Sequence, residues 1–419
     1  MAPLTLAEKI IAAHVPGSSD GVRPGQIVVA TVDLAIAQDG TGPLTIQQIR
    51  ELGGPLGVSR AVFFIDHAAP APRAELADAH AVIRAFCEQC GAMFSDIEMG
   101  VCHQRVAESF ARPGDLIIGA DSHTCTAGGL GAFATGMGST DVAVGMVSGS
   151  TWLRVPETYR VEVTGELGPL VMAKDLMLTL IGEIGADGAT YKALEFGGPC
   201  IDRLPVNQRL TLANMAVEAG AKAGLVASDY RTRAYLARQA READWQPLAP
   251  DAGAEYERTL RYDASLLVPM VAAPHTVDNS LPAGQVAGVR VQQVLIGTCT
   301  NGRLEDLRAA AGLLRGRRRA PHTRLIVTPA SQAIYKAALA EGLLDVFVDA
   351  GAVVTGPGCG ACVGVHAGVL GAGEVCVSTA NRNFKGRMGN PKASIYLASP
   401  ITAAAAAVAG EIIDPRDLT

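Results

Sequence analysis

Between Thr355 and Cys362 the chain reads Thr-Gly-Pro-Gly-Cys-Gly-Ala-Cys. The Cys-x-x-Cys spacing of Cys359 and Cys362 lets two thiolates turn toward one metal centre. Gly356, Pro357, Gly358 and Gly360 surround them. Glycine admits positive φ and close backbone approach, so a tight loop is expected here rather than a helix. Taken alone, the stretch suits a metal loop and a glycine-rich turn with two buried thiols equally well.

A third thiol, Cys299, sits in Gly297-Thr298-Cys299-Thr300-Asn301. Three thiolates are fewer than a closed zinc site or a fully ligated iron–sulfur cluster uses. They leave a coordination position open, which is what Lewis-acid chemistry on a substrate requires. Around them stand Asp66-His67 and Asp121-Ser122-His123, histidines with carboxylates suited to proton transfer near neutral pH. Arginines such as Arg382 suit bidentate binding of carboxylates. An enzyme acting on a small polycarboxylic acid fits this inventory.

The elements that would position these residues are strands alternating with helices, the pattern of α/β folds with parallel sheets. Strands are expected at 27–34, 61–65, 115–119, 159–163, 289–296, 324–328, 352–354 and 374–378. Helices are expected at 4–14, 74–90, 173–184, 210–223, 303–314 and 331–341. On the helix at 210–223, Asn214 and Glu218 are spaced i, i+4 and would share a face. Asp39-Gly-Thr-Gly reads as a turn, 229–263 is polar and irregular, and the alanine tract Ala403–Ala407 reads as a buried helix. The glycine- and alanine-rich segment 128–149 suits backbone packed on backbone. Cys299, the Cys359/Cys362 pair and Asn381-Arg382 all fall just past the carboxyl end of an expected strand, the edge where open α/β sheets bind ligands. Asp66-His67 and Asp121-Ser122-His123 do the same in the N-terminal half.

With 419 residues, two or three domains are expected. The prolines of 269–285 mark a linker between a region 1–280 and a further α/β domain 286–419. Only 18% of residues are charged against 49% hydrophobic, so much surface is expected to be buried between domains or against a partner. A net charge of −6 gives no reason to expect nucleic acid. The basic run Arg315–Arg319 reads as a solvated helix end. The start of the chain lacks a basic segment followed by an apolar core, and no apolar run reaches the ~18 residues of a membrane span. Nine cysteines without an export signal point to a reducing, cytoplasmic compartment.

Seven ordered stretches resemble the aconitase family, in particular its two-subunit branch, the large subunits of 3-isopropylmalate dehydratase and homoaconitase. They are Phe64-Ile65-Asp66-His67, Gly100-Val101-Cys102-His103-Gln104, Gly119-Ala120-Asp121-Ser122-His123-Thr124, Ala213-Asn214-Met215-Ala216-Val217-Glu218, Gly297 to Arg303, Gly358 to Cys362, and Asn381 to Arg387. The resemblance spans nearly the whole chain. It implies three-layer α/β/α domains around a cleft, without the swivelling fourth domain. It also implies one [4Fe–4S] cluster held by Cys299, Cys359 and Cys362, whose remaining iron binds the hydroxyl and carboxylate of a hydroxy acid. By the same resemblance His67 pairs with Asp66, His103 with Asp121, and His123 with Glu218, and His67 protonates the departing hydroxyl. Arg382 and Arg387 hold substrate carboxylates beside Asn381, Ser122 lies near the substrate, and Asn214 lies near the cluster. The implied reaction is dehydration of an alkyl- or carboxyalkylmalate and rehydration at the neighbouring carbon, as in leucine biosynthesis. Homoaconitate or 2,3-dimethylmalate chemistry is the alternative, and an RNA-binding regulator is the alternative class. No Ser-Arg stretch remains to supply the family's serine base, which implies a separate small chain carrying it. Ala361, Val363, Val365 and Ala367 depart from the forms expected of the common 3-isopropylmalate enzymes and leave room for a less usual malate derivative.

Several candidates are set aside. Cys87 and Cys90, within a helical pattern, read as core thiols, and Cys102 and Cys125 as buried packing. Cys200 and Cys376 show no partners. His14, His80 and His322 read as surface or helix residues, and His366 is left outside the site. Gly128-Gly129-Leu130-Gly131 lacks the spacing and the following acidic residue of a dinucleotide loop.

Overall fold

The computed structural model describes residues 2–18, 21–97 and 99–418. Its strands are short, and those at the centres of the first and third sheets are mainly apolar, as in Leu34-Ala-Ile-Ala, Val62-Phe-Phe and Val294-Leu-Ile. Such runs suit parallel sheets covered on both faces, where no side of the strand meets water. Three sheets form accordingly. The first, five-stranded, has the order Met93–Ser95, Arg60–Phe64, Leu34–Gln38, Leu116–Gly119, Phe133–Gly136 and is parallel throughout. The second is a parallel four-stranded sheet of Ala223–Val226, Ala193–Gly197, Thr158–Thr164 and Arg258–Asp263. The third, seven-stranded, runs Ser280–Pro282, Met270–Ala272, Ser394–Ala398, Val375–Ser378, Gln293–Gly297, Arg324–Thr328, Ala352–Val354. It is parallel except at the edge formed by its first two strands.

The order of strands locates the crevices. In the first sheet the chain winds outward from Leu34–Gln38 on one side and then crosses back to Leu116–Gly119 on the other. In the third it winds outward from Gln293–Gly297 and crosses back to Val375–Ser378. At each reversal the loops leaving adjacent strands diverge and open a gap at the carboxyl ends. The two carboxyl edges meet: Cys359 N–H donates to Asp66 O (2.9 Å), and Val101 N–H to Ala330 O (2.9 Å).

Between them the helix Val206–Met215 packs on the 3₁₀ segment Ser122–Leu130. This contact depends on a missing side chain, because a Cβ on Gly129 would overlap the backbone of Leu210; one on Gly128 would likewise overlap the carbonyl of Gly224 in the strand Ala223–Val226. The buried helix Pro400–Ala409 covers one face of the third sheet with the alanine tract, where small side chains permit close approach.

The helices Ala74–Cys90 and Ala173–Ile184 and the strands Arg324–Thr328 and Ala352–Val354 match the expected limits. Elsewhere the structure differs. The run at 27–34 is two strands, Ile27–Thr31 in an antiparallel ribbon with Ser150–Arg154, and Leu34–Gln38 in the first sheet. The helix expected at 210–223 starts at Val206 and ends at Met215; Glu218 lies in a 3₁₀ turn, Ala216–Ala219, so Asn214 and Glu218 do not share one α-helical face. The segment at 269–285 is not a free linker. It supplies two strands to the third sheet, with Pro282 on the outermost one, where a missing N–H costs no ladder bond. Residues 230–238 are a helix and 258–263 a strand within the polar stretch. No described helix is long and apolar enough to cross a membrane.

Candidate metal and active site

The gap between the two sheet edges is a cavity of about 180 Å³. Cys299, Cys359 and Cys362 line it on the side of the third sheet, and His67, His103 and His123 on the side of the first. All six were expected from sequence to serve one site, and the fold brings them to one wall-to-wall space.

The three expected histidine–carboxylate pairs are present. His67 Nδ1 lies 2.9 Å from Asp66 Oδ1, His103 Nε2 3.0 Å from Asp121 Oδ1, and His123 Nε2 2.6 Å from Glu218 Oε1. Asp121 does more than the sequence suggested. It also lies 3.4 Å from His67 Nε2 and 3.6 Å from His123 Nδ1, and accepts the His123 amide (2.8 Å), so one carboxylate faces all three rings. Burial alone would raise the Asp121 carboxyl pKa, but His103 and the other two histidines hold it well below the usual carboxylate range. Burial likewise disfavours charge on His67, yet Asp66 and Asp121 outweigh it and hold His67 well above its ordinary value. Glu218 is kept low, against its burial, by His123 and Arg382.

Arg382 reaches Glu218 through Nε (2.9 and 3.0 Å). That bond fixes the guanidinium plane while Arg382 and Arg387 both line the cavity, as do Asn381 and Ser122. Asn381 Oδ1 and Arg387 Nε are buried with no partner, and unpaired buried polar groups of this kind mark a place for a polar ligand. Asn214 stands behind the wall. It donates to Cys299 Sγ (3.5 Å), and its Oδ1 accepts from Thr300 Oγ1 and Asn381 Nδ2, both at 3.1 Å.

The cysteine loops are held from outside. Thr298 has φ of 69°, a region costly for a β-branched residue. The wholly buried Arg303 secures that turn, donating to Cys299 O (2.6 Å) and Thr300 O (2.7 Å). Arg387 Nη2 lies 3.6 Å from Cys362 Sγ. Hydrogen bonding from Cys359 and then the Arg387 charge hold the Cys362 thiol well below its usual value, while burial pushes Cys299 up to about 11.

The donor set discriminates between kinds of metal group. A single tetrahedral ion about 2.3 Å from each sulfur would draw three sulfurs within about 4 Å of one another. Among the described residues, the donor groups that lie within 4.8 Å of one another are Asp66, His67 and Cys102, and His103, Asp121 and His123. The three cysteines together are not such a set, although Cys359 hydrogen-bonds Cys362. Three thiols on one cavity, not all so close, fit a group with several metals, each taking its own thiolate.

Two residues of the site escaped the sequence reading. Asp39, taken as part of a turn, is buried and accepts the amides of Asp66 (3.2 Å), His67 (2.8 Å) and Ala68 (2.7 Å). It also meets His80 Nε2 at 3.1 Å, so His80 is a buried support and not a surface residue. Gln38 lines the cavity and donates to Asp121 Oδ2 (3.3 Å). Gln38 ends the strand Leu34–Gln38 and Asp39 follows it, at the same kind of edge as the others. Cys90, expected in the core, is exposed, and Cys87 is buried. A larger cavity of about 920 Å³ adjoins the site at Ser122. Its lining is mainly apolar, with Trp152, Val29 and Val144, and it holds none of the cysteines or histidines.

Two comparisons bear on this arrangement. The sequence profile of the aconitase family (aconitate hydratase) matches residues 8–410. Among curated proteins, the chain is 56% identical over 418 residues to the 3-isopropylmalate dehydratase large subunit of Elusimicrobium minutum, covering 99% of both chains. It is 54% identical to large subunit 2 of that enzyme from Archaeoglobus fulgidus, over 99% of each chain. It is also 54% identical to large subunit 1 from Thermotoga maritima, over 98% of this chain and 99% of the relative.

Proposed function

The chain belongs to the aconitase family, and from that premise we propose that it is the cluster-bearing large subunit of a hydro-lyase acting on 3-isopropylmalate in leucine biosynthesis. One observation carries the proposal: three cysteines and three carboxylate-backed histidines face each other across one small cavity with two arginines at its wall.

Cys299, Cys359 and Cys362 would hold a [4Fe–4S] cluster. When bound, it supplies a Lewis-acidic iron that has no cysteine ligand. The protein's own residues do the rest. Arg382, with its plane set by Glu218, and Arg387 bind the substrate carboxylates. Asn381 and Ser122 complete the polar wall. His67, kept protonated by Asp66 and Asp121, delivers a proton to the departing hydroxyl. Asp39 fixes the backbone of residues 66–68 and so the position of that ring. Residues 1–280 supply the histidines and 286–419 the cysteines, as two regions of one machine. The names of the relatives speak of a large subunit; we infer a small partner chain that brings the base removing the carbon-bound proton. The cytoplasm, where free cysteines stay reduced, suits the nine thiols.

The test is to mix anaerobically purified protein with a small chain of the same enzyme type and assay a panel of alkylmalates. Hydration and dehydration of isopropylmalates should require both chains. Activity of the single chain would show that the base lies within it.

Arg382→Lys should weaken substrate binding by about 2 kcal/mol, about thirty-fold in KM, because lysine cannot keep both the Glu218 contact and a planar fork on a carboxylate. Unchanged KM would take Arg382 out of the pocket. The pH profile follows from the direction of the His67 shift. Its acid form persists at neutral pH, so activity should fall only as pH rises through the elevated value. Asp66→Asn removes the first of the charges that raise it, so the alkaline limb of kcat/KM should move to lower pH. An unmoved limb would assign the acid elsewhere.

A further inference from the structure

Lys174 is the second residue of the helix Ala173–Ile184 and is wholly buried. In a helical pattern a lysine normally reaches water. Here its ammonium has two hydrogen-bond partners, both backbone carbonyls: Nζ donates to Thr379 O (2.6 Å) and to Ala380 O. Among the described residues it forms no ion pair with a carboxylate. The neighbouring Asp175 turns away, its oxygens accepting the amides of Met172 and Met270, both at 2.8 Å.

The two carbonyls are well placed. Thr379 and Ala380 leave the strand Val375–Ser378 at the chain reversal of the third sheet and lead directly into Asn381 and Arg382. Thr379 Oγ1 accepts the Gly297 amide (2.8 Å) and donates to Gly297 O (3.1 Å), which ties the same loop to the turn carrying Cys299. Lys174 therefore enters from the helices of the second sheet and clamps the point where the cysteine loop and the arginine loop separate.

A buried cation requires a counter-charge. Burial pushes the Lys174 ammonium down to about 7, and the groups that resist this include Asp306, Cys362, Asp175 and Cys299. Asp306, hydrogen-bonded by Asn301 Nδ2 (3.1 Å) and the Arg303 amide (3.0 Å), supplies part of that counter-charge together with Asp175, and the cysteines of the cavity supply the rest.

We infer that Lys174 is a positioning residue for this cavity: its two hydrogen bonds fix the backbone that aims Asn381 and Arg382, and the cysteine-bound metal group balances its ammonium. The second half rests on the iron–sulfur function proposed above.

The experiment compares Lys174→Met and Lys174→Gln with the parent in the anaerobic two-chain enzyme, reading iron content, KM, kcat and cluster reduction potential. Both variants should load iron as the parent does. Lys174→Met should raise KM tenfold or more with a smaller loss in kcat, because the carboxylate-binding loop loses its clamp. Both should show a more negative midpoint potential, because a negative cluster that loses a nearby cation becomes harder to reduce. Lys174→Gln keeps an N–H donor and should recover part of KM but none of the potential. A parent-like KM in Lys174→Met overturns the clamp, and parent-like potentials in both variants overturn the charge balance. If the methionine variant does not fold, the glutamine variant decides the charge balance by its potential and the clamp by hydrogen exchange at the Asn381 and Arg382 amides, where parent-like exchange overturns it. A parent protein that binds no iron refutes the functional proposal instead. The clamp is then read from hydrogen exchange at the Asn381 and Arg382 amides, which should quicken in the variants; unchanged exchange overturns it.

Discussion

Cys359→Ser should abolish iron loading and dehydratase activity together, while Cys90→Ser should leave both at the parent level. The two residues belong to different Cys-x-x-Cys pairs, Cys359 with Cys362 and Cys90 with Cys87. Spacing alone does not separate them; their surroundings do. Cys359 is buried on the wall of the cavity, its amide anchored on Asp66 O, with Cys299 and Cys362 on the same wall. Cys90 is exposed at the end of the helix Ala74–Cys90, and its partner in spacing, Cys87, is buried in the core, away from the cavity and its other thiols. Serine at 359 keeps the backbone bond and removes only the sulfur, so loss of iron there reports ligation and not folding. Iron analysis of the two variants, with circular dichroism as a control for folding, makes the comparison. Equal loss in both would move the metal site.

His67→Gln should lower kcat by a factor of about 10² to 10⁴, the range for removing a general acid, with little change in KM. Three histidines stand around the cavity, and His67 is singled out by two observations. It is the most exposed of the three, with 13% of its side chain accessible against 3% for His103 and 5% for His123. Against its burial, Asp66 and Asp121 also hold it well above its ordinary value. Glutamine preserves polarity and approximate size but has no proton to give. Steady-state kinetics with the two-chain enzyme decide the matter; a variant within threefold of the parent would pass the role to His103 or His123.

Much of this site was legible because apolar strands of parallel sheets are easily recognised and chemistry collects at their carboxyl ends. Cys299, Cys359, Asp66, Asp121 and Arg382 all follow such strands. Where an apolar run was misjudged, the site residue after it was lost. Reading 27–34 as one strand ended the element before Gln38, so Asp39 was left as turn chemistry. Glu218 was recognised, but on the wrong element, because apolar residues continue past the point where the helix tightens into a 3₁₀ turn and Gly220, at φ 84°, closes it. The prolines of 269–285 suggested a linker, although a sheet edge accommodates proline equally well. Lys174 was invisible as a buried cation because its partners are carbonyls of a distant loop, and Arg303 because, beside its own turn, it bonds Gln104 and Asn207 far along the chain. A lysine within a helical pattern otherwise implies only a solvated face.

The central claim is that three cysteines hold a cluster with one iron left for substrate. Mössbauer spectroscopy of ⁵⁷Fe-loaded, anaerobic protein, recorded with and without isopropylmalate, tests it directly. The expected result is a cluster in which one iron in four changes its spectrum on substrate addition while the other three do not. A single iron per chain, or a full cluster indifferent to substrate, would contradict it.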